Sequence, residues 1–155
     1  MKHVTAFLAI ALLGSAVQAS PVVNLERERQ LAKEREKLER ETDPVDRAKI
    51  GIKISELLLA SVSDAVREED FVAMTAHLDE YAAVIENAHE TMMNSGRDAQ
   101  KKSAGFKELE IALRKHVLRF DDIARALSLV HRTPVEHVKG LASDLRDGLL
   151  RALFR

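Results

Sequence analysis

The stretch from Phe106 to Val130, Phe-Lys-Glu-Leu-Glu-Ile-Ala-Leu-Arg-Lys-His-Val-Leu-Arg-Phe-Asp-Asp-Ile-Ala-Arg-Ala-Leu-Ser-Leu-Val, decides the fold class. Phe106, Leu113, Phe120 and Leu127 recur every seven residues, and Leu109, His116, Ile123 and Val130 form a second row three positions on. Two such rows make a narrow apolar stripe on one face of a helix, the seam by which helices pack into a bundle. Lys107, Arg114, Lys115, Arg119, Asp121, Asp122 and Arg125 occupy the other faces. A single helix cannot cover its own stripe, so the rest of the chain must supply partners.

Three further segments read as those partners. Downstream, Thr133-Pro134-Val135-Glu136 has the form of a capping box with Pro at the first helical position. A last helix from there buries Val135, Val138, Leu141, Ala142, Leu145, Leu149 and Leu153. Upstream, the helix that carries the decisive stripe is expected to begin near Asp98. It is preceded by Asn94-Ser95-Gly96, residues that tolerate the left-handed backbone closing a helix. Before that stop, Phe71, Met74, Leu78, Tyr81, Ala82, Ile85, Ala88 and Met92 recur at helical spacing, with the acids Glu68, Glu69 and Asp70 at their start. Asp43-Pro44 opens the earliest of the four. Its apolar residues fall on two faces: Val45, Ala48, Ile52, Leu59, Val62 and Val66, and Ile50, Ile54, Leu57, Leu58 and Ala65. A helix apolar around most of its circumference lies at the centre of a bundle.

The expected fold is therefore all-α: an antiparallel bundle of four packed helices over residues 44–155, plus a highly charged helical extension over 20–43. Five Phe, one Tyr, no Trp, three Pro and six Gly in 155 residues suit helices packed by aliphatic side chains, not a β fold. The extension interleaves Glu, Arg and Lys around Leu25, Leu31, Ala32 and Leu38. Those apolar residues are too sparse for a full buried face. The segment reads as a solvated helix docked at a few points, and its second reading is a coiled-coil arm for another chain or a second copy.

Residues 1–19 read as a signal peptide. Lys2 and His3 precede the apolar run Val4–Leu13, and Val17 and Ala19 stand three and one before a cut, giving Ser20 as the new N-terminus. The run is well short of the ~20 residues that span a bilayer. The expected location is periplasmic or secreted. No cysteine is present, which excludes a Cys-linked lipid, disulfides and thiolate-bound metals.

Charge is unevenly distributed. Glu68 to Gly96 holds seven acids and no Lys or Arg; Arg97 to Arg132 holds nine bases and five acids. An acidic helix followed by a basic one is expected to fold back along it, with flanking charges selecting the pair. Nucleic-acid binding is set aside, because the chain is not basic overall and lacks interleaved aromatics.

One candidate metal set stands out. Glu86 and His89 have Glu-x-x-His spacing, with Met93 one turn further, a carboxylate, imidazole and thioether on one helix. A di-iron centre would need a second such motif and two more Glu from other helices, and the sequence has no second copy. His116 sits within the apolar stripe and reads as a core histidine; His131 and His137 flank the turn at Pro134, and His77 has no assigned partner. Gly-x-Ser-x-Gly, glycine-rich phosphate loops and His-Glu-x-x-His are all missing, so no catalytic residue or cofactor is expected. The C-terminal run Leu149–Arg155 is apolar with basic spacing, and a membrane surface is its second reading beside completing the bundle. The function expected from these features is that of an exported, non-enzymatic helical protein acting through protein–protein contact, with metal binding or membrane association as alternatives.

Overall fold

The computed structural model describes residues 21–154, with side chains from Asn24 onward, so the expected leader and its cut lie outside the described residues. Five helices follow in order: α1 (Pro21–Arg40), α2 (Pro44–Arg67), α3 (Phe71–Met93), α4 (Phe106–Ala126) and α5 (Leu129–Leu153). No strand occurs among the described residues.

Local chemistry sets most of the boundaries. The Asp43 carboxylate accepts from the backbone N–H groups of Val45 and Asp46, at 2.9 and 3.0 Å, which satisfies donors that the first turn of α2 leaves free. Arg47 reaches back to donate to the carbonyls of Leu38 and Glu41, closing the C-terminus of α1. Glu69 takes a left-handed backbone at φ 56° between α2 and α3, and Asp70 caps α3 by accepting from the Ala73 N–H. The three acids thus end one helix and start the next.

Two boundaries differ from the sequence expectation. α4 begins at Phe106, not near Asp98. The Asp98 carboxylate instead accepts from the N–H of Gln100 in a local turn, and Gly105, at φ 85°, makes the real start. The Glu108 carboxylate accepts from the Gly105 N–H at 2.6 Å, closing that cap. The second difference lies at the other end of the stripe. α4 stops at Ala126, Leu127 turns to extended backbone, and α5 starts at Leu129, before Thr133-Pro134 rather than at it. Pro134 therefore sits inside α5, where it cannot donate to the Val130 carbonyl. Val130, expected on the seam, is 81 % exposed. The rest of the stripe is buried as expected: Phe106, Leu109, Leu113, His116, Phe120, Ile123 and Leu127.

α2 is the central helix, touching α1, α3 and α4; its closest partner is α3, and that of α4 is α5. At Gly51, a Cβ would come within 3.2 Å of the Ala88 Cβ, so the absent side chain is what lets α2 and α3 approach. The expectation that acidic α3 lies along basic α4 is not met: the two meet at few points. Twelve residues, 94–105, separate them, and the charges on α3 find another helix, with Arg35 of α1 bidentate on Glu80 at 2.7 Å. Exposed charge pairs contribute only ~0–1 kcal/mol each, whereas burying a Leu or Ile contributes ~1.5–3 kcal/mol. The doubly apolar α2 takes α3 on that ground.

α1 docks rather than floats. Leu31 is completely buried against the core and Leu38 partly so. Glu34 is buried and accepts from Lys53 at 2.6 Å, and that bond is the main reason its carboxyl is held below the ordinary value. Arg27 pairs with the buried Asp64, which also takes Arg67.

Candidate functional site

The expected metal set does not converge on one opening. Glu86 lies on a groove between α3 and α5 with Glu136, His137 and Asp144. Met93 lines a different pocket with Arg97, Asp98, Phe106 and Ala152. His89 lines neither of those pockets: its Nε2 is buried without a hydrogen-bond partner, and a Cβ at Gly148 would stand 3.0 Å from it. The imidazole fills the notch left by that glycine. Burial lowers its pKa, and Glu90 opposes the shift in part. Among the described residues no group of three or more His, Asp and Glu is gathered to hold a metal ion.

Two other places carry more. The first is an apolar end. Phe71, the first residue of α3, stacks its ring on His131 of α5 with centroids 3.6 Å apart and planes within 10°. That stack brings the first turns of α3 and α5 together. On those turns Val72, Leu129 and Val130 are 83, 79 and 81 % exposed. Glu68, Glu69 and Asp70 are exposed beside them on the α3 side. Close by, Asn24, Arg27, Glu28, Ser61, Asp64 and His77 line a polar cavity of about 140 Å³ where α1, α2 and α3 meet.

The second is buried. Tyr81 of α3 and His116 of α4 join through the hydroxyl and Nδ1 at 3.0 Å, and the Phe120 ring stands edge-on to Tyr81 at 5.1 Å. A neutral imidazole satisfies this bond in either tautomer. His116 is only 4 % exposed, and its Nε2 has no partner. Burial, then the cations Arg119 and Lys115, push its pKa down to about 4; burial pushes the Tyr81 hydroxyl far up.

Set against protein-family models, curated proteins and solved structures, the chain matches none.

Sequence reasoning placed His116 correctly in the core but missed its partner, because a separation of 35 positions along the chain hides the contact. It missed the apolar end because Val130 fits the heptad. Pro134, four residues on, was the available signal that the helical register there is not that of α4.

Proposed function

We propose that this chain is an exported, non-enzymatic helical protein that acts by holding a protein partner at the apolar end of its bundle. In this reading α2 to α5 form an antiparallel bundle of four, with α1 as a charged arm along α2, and the leader is removed after Ala19. The observation that carries the proposal is the trio Val72, Leu129 and Val130, which stand in solvent while nearly all the large apolar side chains of α2 and α4 are covered. Contiguous apolar surface left open on a folded domain marks a contact site. The acidic residues Glu68, Glu69 and Asp70 at its rim fit a partner with an apolar anchor and basic flanking residues. Self-association through α1 remains part of the proposal only through that helix's charged outer face, since Leu31 and Leu38 are turned toward its own core.

The test compares the mature chain with a Val72→Glu/Val130→Glu variant and a Leu118→Glu control, each as bait in an extract of the source cells. A partner retained by the parent and the control but lost by the double variant, with helicity and melting unchanged, supports the proposal. Retention of the same proteins by all three overturns it. N-terminal sequencing of the exported protein checks the leader, with Ser20 as the first residue expected.

A further inference from the structure

One apolar core spans the helices, and within it α3 packs chiefly on α2 and α5 chiefly on α4, while α3 also meets α5 and α2 meets α4. Within one half, Arg35 holds Glu80 and Lys53 holds Glu34. Within the other, Arg146 donates to Glu110 at 2.9 Å and Lys139 to Asp121 at 2.8 Å. The halves are joined through residues 94–105, which hold no helix and two left-handed glycines, Gly96 at φ 69° and Gly105 at φ 85°.

Two of the polar bonds that cross between the halves are Tyr81 to His116, in the core, and Arg119 to Ser63, at the surface at 3.3 Å. Only the first is buried. Facing the His116 ring are the Tyr81 hydroxyl from α3 and, along α4, the cations Lys115 and Arg119. α2 answers Arg119 with the neutral Ser63 hydroxyl, and among the described residues no carboxylate of α2 or α5 bonds to the ring. An imidazolium carries two N–H donors. Tyr81 can accept from one, and the other, on Nε2, would be a buried donor without a partner next to two like charges.

We propose that Tyr81 and His116 form an acid-released latch: protonation of His116 parts the α2–α3 half from the α4–α5 half about the 94–105 link while the helices stay formed. α1 travels with α2. Val72 lies on α3 and Leu129 and Val130 on α5, so opening also parts the apolar end; the distance measurement reads the latch without any partner and so fails or holds separately from the partner-binding test.

The chain has no cysteine of its own, so two introduced ones take spin labels cleanly. Glu56→Cys on α2 and Asp147→Cys on α5 are both exposed and stand in different halves. Dipolar spectroscopy on the mature chain, run beside far-UV circular dichroism from pH 7 to pH 4, reads opening and helicity separately. The expected result is a longer distance that grows in below about pH 6 while the helical signal holds. A Tyr81→Phe/His116→Leu variant, apolar on both sides of the latch, keeps the short distance at least about one pH unit further into acid. His116→Gln serves the same comparison if the double variant fails to fold, and His137→Gln opens with the parent. A distance that changes only where the helices melt overturns the latch. So does a variant that opens at the parent's pH.

Discussion

Leu31→Ala is the sharpest perturbation of the way α1 is held. Among the described side chains of that helix, Leu31 is the one apolar residue fully covered; Leu38 is half-covered and Leu25 is exposed. Truncation removes three carbons from a closed site, and comparable substitutions cost ~2–5 kcal/mol. The ion pairs that share the docking are weaker. Arg35 and Glu80 are both partly open to solvent, so their bidentate contact adds about 0–1 kcal/mol. Arg27 with Asp64 is better shielded, but it lies at the end of α1 remote from Leu38. A loss of about 2.7 kcal/mol raises the population of undocked α1 about 100-fold. Hydrogen exchange resolved by peptide should therefore show α1 amides exchanging about 30- to 4,000-fold faster, while α2 and α3 amides change by less than about tenfold. Trypsin should cut first at Arg27, Arg29, Lys33 and Arg35. If α1 keeps its parental protection, or α2 and α3 lose theirs in step with it, the picture of a separately docked helix is wrong.

Four further outcomes follow from individual residues. His116 has a folded pKa of about 4 against an ordinary 6.5, so the unfolded chain takes up its proton first as pH falls. Its contribution is complete above pH 6.5 and is lost through the window down to about pH 4, for a total of about 3 kcal/mol; urea unfolding at pH 7 and pH 4.5 should show this loss in the parent and little of it in Tyr81→Phe/His116→Leu. Gly140→Ala meets nothing within 4 Å and should stabilise the chain by ~0.5–1 kcal/mol in thermal melts. Gly105→Ala combines φ 85° with a Cβ 2.6 Å from the Met92 side chain, and its melting temperature should fall by several degrees for each ~1 kcal/mol lost. Calorimetric titration with copper, zinc or nickel should give no heat that His89→Ala abolishes, because the Nε2 of His89 faces Gly148 and not an opening shared with Glu86 and Met93.

Periodicity made most of the helices legible. The doubly apolar pattern of Val45 to Val66 announced α2 as the centre, and the Phe106 heptads announced the buried face of α4, because burial is what those patterns encode. Caps with a side-chain oxygen, as at Asp43, were equally readable. What stayed hidden depends on contacts far apart in sequence. The pairing of α3 with α2 instead of α4 is decided by apolar area and by the Gly51–Ala88 approach, which outweigh the charge contrast that a linear reading notices first. The end of α4 was misplaced because Leu127 and Val130 both fit the heptad, although only Leu127 is covered. For the candidate metal set, helical spacing put Glu86 and His89 near one face, but the groove that receives Glu86 and the notch that receives His89 are made by α5, which no spacing within α3 reveals.

The arrangement of the core can be read from a single residue. Tyr81 is the only tyrosine, so its ring protons are unambiguous in a spectrum of the protein. With α3 and α4 placed as described, those protons should show strong through-space transfer to the Phe120 ring, whose centroid lies 5.1 Å away, and to the His116 ring at 5.6 Å. A Tyr81 ring that shows neither, in a chain whose helical content is intact, would contradict the packing on which the rest depends.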